Sequence, residues 1–435
     1  MDQRARTPPP GDPGSSTTSR IRIGSLAVAL SGAATFAAVL ASYSAFRPVR
    51  DALILGGNPD QIPWLFLGTF VAISIVSPVW SAVLARWSRR RVLPVAYHAF
   101  AACLVAFFVI VRAEIAPVAV GRVFYIWSAV FNLFVVSVLW SLLADLLGPS
   151  TARRVYGPIA AGGTVGTFVG PLLTRLLVDA IGVAGVLLMS ALLLELAVVG
   201  LHLVRRAARQ LPHDEAFEPA GDPDEPAGGG ALTGIARVAR SPYLVAIVGY
   251  VLCTAFAATF IYLRQERLVH DLIAGGNNRT RYFSSVDLWV SPVTLVLQIL
   301  VARPALGRLG PGAVLAVLPV VQLIGLAALV FEPSLTTLAV VLVIGRAATH
   351  GLTRPARELL FTVVSRDDKY RAKNAIDTIA YRFGDVASGW LNTALIAIGG
   401  SIALVCAAIP LAAIWLGLAA VLGHGFRRRV TKEIS

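Results

Sequence analysis

Acidic residues are scarce in this chain: 24 Asp and Glu stand against 38 Lys and Arg in 435 residues, and all charged residues together make up 14%. A soluble domain of this length cannot cover its surface with so little charge. The 56% hydrophobic content and mean hydropathy of +0.73 exclude one. Cysteine is almost absent. Cys103, Cys253 and Cys406 each fall inside apolar runs, with no metal-ligand spacing, so neither a disulfide framework nor a metal site is expected. Histidine is equally thin: the six are scattered, and no nucleophile has a base at a workable spacing. "AAGGTVGTFVGP" (160–171) has the glycines of a phosphate loop but lacks its lysine and hydroxyl residue, and no strand precedes it. Gly162, Gly166 and Gly170 recur every four residues instead, which predicts close helix packing. The sequence therefore points to no enzyme, no cofactor and no ATP-driven pump.

What the chain has in abundance is long apolar runs. Windows of about 19 residues stay hydrophobic twelve times over. The spans fall roughly at 25–55, 62–85, 92–111, 117–144, 156–178, 183–204, 243–274, 283–302, 311–331, 335–357, 375–398 and 400–422. The polar segment 205–240, with "HDEAFEPAGDPDEPAGGG", reads as a flexible linker between two six-helix bundles, 25–204 and 241–424. Residues 1–24, with "TPPPGDPGSSTTSR", read as a disordered tail, and 425–435 as a basic one. The small residues from Ala41 to Ala45 mimic a signal-peptide cleavage site, but this segment belongs to an internal repeat and is read as a span.

The net charge of +14 raises the question of nucleic acid, yet the basic residues sit in short loops between apolar runs. Membrane orientation accounts for them better, and no nucleic-acid partner is expected. "RWSRRR" (86–91), Arg153–Arg154 and "FRRR" (426–429) mark the cytoplasmic side, with both termini inside. The outer ends carry only Arg47, Arg50, Arg112, Arg264, Arg267, Arg279 and Arg281. The halves repeat: Arg47 and Arg50 match Arg264 and Arg267 at an offset of 217, while "LILGGN" (53–58) matches "LIAGGN" (272–277) at 219. Two bundles related by an axis along the membrane normal are the architecture of a major-facilitator-type transporter, with its site between the halves.

Several charges lie where lipid penalises them. An arginine at the bilayer centre costs roughly 2.5–3.5 kcal/mol, so Arg122, Arg175, Arg346, Arg354, Arg357 and Arg382 need partners, water or an interface. Arg122 and Arg175 lie near span ends and can snorkel. In span ten, Arg346, His350, Arg354 and Arg357 share one helix face; in span eleven, Lys373, Asp377, Tyr381, Asp385 and Ser388 do the same, with Arg382 beside Asp385. These stripes line a hydrated path or simply pair to lock the bundle. In span four, Asn132, Ser137, Ser141 and Asp145 form a thinner stripe, in which Asp145 is a site residue or an ordinary charge at a helix end.

"FRPVRDALILGG", "GRVFYIWSAVFNLFVVSVLWSLLADLL", "GPIAAGGTVGTFVGP" and "RPARELLFTVVSRDDKYRAKNAIDTIAYRFGDVASGW" resemble the bacterial and plastid-type ATP/ADP (NTP/NDP) exchange transporter family. The likeness runs from about Ser42 to Gly389. It implies an exchanger of phosphate-bearing anions in the bacterial cytoplasmic membrane, functional as a monomer. The family's basic residue in span one falls on Arg50, its acidic residue ending span four on Asp145, and its lysine opening span eleven on Lys373. The family's span-seven glutamate has no counterpart in the matching stretch, Phe256 to Ile261. Substrate contacts are accordingly expected from Arg47, Arg50, Asn132, Asp145, Arg346, Arg354, Arg357, Lys373, Tyr381 and Arg382. Gating or ion pairs are expected from Asp51, Arg264, Arg267, Glu358, Asp377 and Asp385. A proton-coupled carrier of another organic anion, sugar phosphate or drug, using Asp145, Glu358, Asp377 or His350, is the alternative. A membrane sensor that kept the carrier fold is a third reading.

Overall fold

Apolar chain in a bilayer must satisfy its backbone internally, and the chain does so as helices. The computed structural model describes residues 13–87, 89–209, 211, 238–364, 373, 376 and 380–434. Helix α1 is Pro13–Ile54, α2 Ile62–Arg86, α3 Arg89–Arg112 and α4 Pro117–Leu146. The helical stretch Pro149–Ala208 breaks at Gly182, whose φ of 70° suits glycine, giving α5 (149–181) and α6 (183–208). After the linker comes α7, Pro242–Leu272. Helix α8 starts at Gly276, widens into a π-turn at Leu297–Ala302 and runs to a second glycine break, Gly310 at φ 78°. Beyond it lies α9 (311–331). Helix α10 begins at Leu335 and has its own π-turn, Thr349–Thr353, before Arg354–Leu360. The last helical stretch, Tyr381–Ile434, divides at Gly399 and Gly400 into α11 (381–398) and α12 (401–434). Proline at the first turn opens α4, α5 and α7, where its missing N–H is harmless. Ser241 and Ser334 cap α7 and α10.

These are two bundles of six, the major facilitator architecture. One apolar core lies within residues 28–207, and another within 243–422. The ends depart from expectation: α1 begins at Pro13, inside the stretch read as disordered, and α12 continues to Ile434, through the stretch read as a tail. Helix already nucleated in the bundle propagates into flanking polar residues, because each added residue costs little once the first turn exists. The linker residues 212–237 lie outside the described residues.

The glycine repeat of α5 packs as expected. A Cβ on Gly162, Gly166 or Gly170 would run into the α1 backbone carbonyls of Ala33, Ala37 and Ala41 in turn. Two matched four-residue stripes of small residues let the helix backbones touch.

Candidate functional site

Between the bundles lies a cavity of about 740 Å³. Helix α1 contributes Arg47 and Arg50; α4, Tyr125 and Asn132; α7, Tyr250, Thr254 and Tyr262; α10, Arg346, His350, Arg354, Arg357 and Glu358. Lys373 and the α11 residues Tyr381, Arg382 and Asp385 complete the wall. Every expected substrate contact except Asp145 lines this one space. Asp145 is exposed at the far end of α4, away from the lining.

The π-turn explains why the α10 stripe stays on the wall. Steps of four residues on an α-helix drift by about 40° each. A π-turn adds a residue to the turn and offsets that drift, so Arg346, His350, Arg354 and Arg357 all reach the cavity. The two wide turns pack on each other: Gln298 Nε2 donates to the His350 carbonyl at 3.3 Å, and Gly351 sits against Leu297.

Charges are paired around the closed end. Arg50 donates through Nε and Nη2 to Asp51 Oδ1 at 2.8 and 2.6 Å, with its guanidinium 4.9 Å from the centre of the Tyr125 ring. The Tyr262 hydroxyl, from the other half, donates to the same Asp51 oxygen at 3.2 Å. Arg346 Nη1 donates to Asp287 Oδ1 at 2.8 Å and Nη2 to Gln265 Oε1 at 3.2 Å; Arg47 approaches Asp287 from across the interface at 3.7 Å. At the other end of the cavity, Lys373 meets Glu358 at 2.6 Å, and Arg382 lies 3.7 Å from Asp385 on its own helix.

Further links between the halves gather where α1 passes to α2 and α7 to α8. Arg267 bonds Asp60 at 3.0 Å; Arg281 pairs with Asp179, and Arg175 with Ser285. Arg175 thus holds an interface, where its position alone predicted snorkelling; Arg122 bonds Gln61 within its own half. Arg279 donates to three carbonyls, Leu55 at 2.6 Å, Ile273 at 2.8 Å and His270 at 3.2 Å. Behind these polar groups, Ala52, Leu55, Ile62 and Leu65 of the first half pack with Leu263, Val269 and Phe283 of the second as an apolar plug. The cavity runs from this plug towards Arg354, Arg357 and Lys373.

The repeat is less symmetric in its side chains than the offset of 217 implied. Arg47 and Arg50 line the cavity, whereas Arg264 and Arg267 do not; Arg264 forms no ion pair among the described residues. The cavity face of α7 runs through Tyr250, Thr254, Ala258 and Tyr262, and the next positions on it are Gln265 and Glu266. Both are fully buried and escaped the sequence reading, as did Asp287. A signal was present: the offset of 219 from the glycine match, carried to Arg47, lands on Glu266. Helix α7 therefore does carry a buried glutamate, a turn beyond the stretch Phe256 to Ile261 in which none was found. Asp377 lies outside the described residues.

Among the described residues, apolar helices in two bundles around a cation-rich cavity define a multi-pass membrane transporter. Residues 23–356 match the family model described as Major Facilitator Superfamily, and the chain belongs to that superfamily. Among curated proteins it is similar to ADP,ATP carrier protein 1 of Chlamydia trachomatis serovar D, at 20% identity over 88% of this chain and 86% of the relative. ADP,ATP carrier protein 1 of Chlamydia muridarum matches at the same identity and coverage. Among solved structures, the nucleoside transporter NupG superposes with a TM-score of 0.59 at 13% identity, covering 94% of this chain and 99% of that one. A bacterial homologue of the iron transporter ferroportin, in an inward-facing state, gives 0.60 at 12% identity over 94% and 99%. At such identities the structural likeness shows the shared fold.

Proposed function

We propose that this chain exchanges phosphate-bearing anions, nucleotides of the ATP/ADP type, across the bacterial cytoplasmic membrane by alternating access. The observation that carries the reading is the convergence of Arg47, Arg50, Arg346, Arg354, Arg357, Lys373 and Arg382 on one cavity from both halves. Guanidinium groups offer bidentate, charge-assisted hydrogen bonds to phosphate oxygens. The cavity volume falls within the roughly 300–1,000 Å³ usual for small-molecule sites. Tyr125, Tyr250, Tyr262 and Tyr381 give it flat aromatic walls beside the cations, suited to a base. The distant likeness to the ADP,ATP carriers supports the same substrate class.

The conformation is inward-facing, closed at the plug and open towards Arg354 and Lys373. Both termini lie on the cytoplasmic side, in keeping with the basic segments 86–91 and 426–429. A cavity lined by residues of a single chain supports the monomer as the working unit. Substrate bridges Arg47 and Arg50 to the α10 and α11 cations, the halves rock about it, and the Asp51 and Glu358 pairs re-form when it leaves. The chain performs transport, with no covalent chemistry.

The test is counterflow of labelled ATP and ADP into proteoliposomes preloaded with either nucleotide or nothing. Uptake that requires internal nucleotide, and that falls on Arg50→Ala and Lys373→Ala, is the expected result. Uptake of other organic anions driven by a pH gradient, with no nucleotide counterflow, would overturn it.

A further inference from the structure

Helix α9 packs against α10, and among the described residues it sends one side chain to the cavity wall, Gln322. The way through is Gly345 of α10. A Cβ there would stand 3.2 Å from Gln322 Nε2 and 3.4 Å from Oε1, closer than neighbours normally sit. Glycine inside a helix costs stability, and here the space it leaves is taken by the amide. Around that opening the wall is apolar: Ala258 and Ile261 of α7 and Val341 and Leu342 of α10 flank it, with Thr254 and Thr349 a turn away. Arg346, the residue after Gly345, sets this recess beside the cations. The amide itself is unsatisfied, because its Oε1 is buried and has no hydrogen-bond partner. A buried amide oxygen left unpaired is destabilising, whereas a methionine of similar length among the same apolar neighbours would lose nothing. Such a group calls for a partner that arrives from the cavity.

We propose that the recess between α7 and α10 takes the base of the nucleotide, and that Gln322 at its end is a specificity-determining residue, pairing with the hydrogen-bonding edge of that base. The inference rests on the nucleotide reading of the cavity. A nucleobase is a flat ring whose edge carries a donor beside an acceptor. The glutamine amide carries an acceptor beside a donor at matching spacing, so the two form a bidentate pair. With an aminopurine, Oε1 accepts from the exocyclic amine and Nε2 donates to the neighbouring ring nitrogen. The amide reaches this pose by turning about its last bond, a soft torsion. Ala258, Ile261, Val341 and Leu342 then cover the ring, while the phosphates stay with the cations. A ligand lacking that edge leaves the amide unpaired among apolar groups, and this penalty is what rejects it. The competing role for Gln322 is structural. The Trp415 indole N–H is also without a partner, and it borders the same space of about 20 Å³ between α7, α9 and α12 that Gln322 touches. A tie between the two would make Gln322 a strut of the bundle.

The experiment uses the full chain in proteoliposomes preloaded with ADP. Uptake of labelled ADP is competed with unlabelled ADP and with purine riboside 5′-diphosphate, which lacks the exocyclic amine. In the wild type the analogue competes about tenfold less well, the effect of one hydrogen bond left unmade. In Q322M the KM for ADP rises by about that factor, and the two ligands compete within about twofold of each other. Q322N keeps the amide but withdraws it by one methylene, and its preference falls between the two. Purified Q322M melts at or above the wild-type temperature, because the residue it replaces was unsatisfied. A tenfold preference that survives in Q322M overturns the proposal. Melting of Q322M and Q322N well below the wild type overturns it too, since that marks the strut. If no nucleotide exchanges at all, the nucleotide reading and this assignment fall together; exchange whose preference is the same in wild type and Q322M removes this assignment alone.

Discussion

Arg346 shows how a single side chain can both line the cavity and tie the structure together. It holds Asp287 and Gln265 from within α10, and Asp287 in turn steadies Arg47 of the opposite bundle. Arg346→Ala leaves the Asp287 carboxylate with Arg47 alone, 3.7 Å away, and loss of one partner of a buried pair costs up to about 3–5 kcal/mol, less where the cavity brings water to it. The expected outcome is a clear drop in the thermal stability of the purified protein, together with loss of nucleotide counterflow. Arg346→Ala with Asp287→Asn removes both charges and recovers most of the stability while leaving transport impaired. At this scale the sequence was informative about cations and poor on acids. Six arginines inside apolar spans announce themselves by their cost, and five of the span-ten and span-eleven cations do line the cavity. Asp287 and Glu266 lie close to span ends among other polar residues, where a charge looks ordinary. Which way each points depends on a rotation of about 100° per residue, which composition cannot convey. Asp145 shows the converse: it closes a regular polar stripe on α4, yet the stripe leaves the cavity before reaching it.

Among elements, the α1–α5 seam is the most sharply specified. A side chain at Gly166 would collide with the Ala37 carbonyl, which belongs to helix backbone and cannot turn aside. Gly166→Leu is therefore expected to lower thermal stability through overpacking, by about 1–3 kcal/mol even if the helices shift. Gly157, on the same helix, has open space around its Cβ position. Gly157→Ala should be neutral or stabilise by about 0.4–1 kcal/mol, and thermal melts of the two variants in one detergent check both. This seam was legible because glycine at every fourth position weakens a helix unless a neighbouring backbone comes close enough to need the space. The π-turns of α8 and α10 were not. They arise from packing of one wide turn on another across the bundle, and nothing local in "THGLT" or "LQILVA" demands them. The helical ends from Pro13 and to Ile434 were missed for a related reason, since helix spreads from a folded neighbour into residues whose own composition reads as coil.

For the molecule as a whole, the conformation makes a prediction about access. Thr254 lines the cavity, while Ile62 sits in the plug at 2% exposure. On the orientation proposed above, in a background with Cys103, Cys253 and Cys406 replaced, Thr254→Cys should react with a hydrophilic thiol reagent supplied from the cytoplasmic side. Ile62→Cys should resist the reagent from either side until substrate cycling opens the outer end. Equal labelling of both sites at rest would contradict the closed plug. The two-bundle plan was readable from hydropathy and the repeat; which end is shut was not, because that depends on contacts such as Arg267–Asp60 between segments far apart in sequence.

Arg279 carries one more consequence. Its guanidinium collects the last carbonyls of two helices: Leu55 at the end of α1, and His270 and Ile273 at the end of α7. Helix C-termini bear partial negative charge, so one cation serves as counter-ion to both first helices of the two bundles at once. On the alternating-access reading, two of its three acceptors would travel with it when the bundles part, and only Leu55 would be surrendered. On that reading the side chain would act as a ratchet tooth rather than a lock, keeping its α7 contacts and re-engaging a single carbonyl on return. A lysine there, with a point charge in place of a fork, would have to choose between the helices on every cycle.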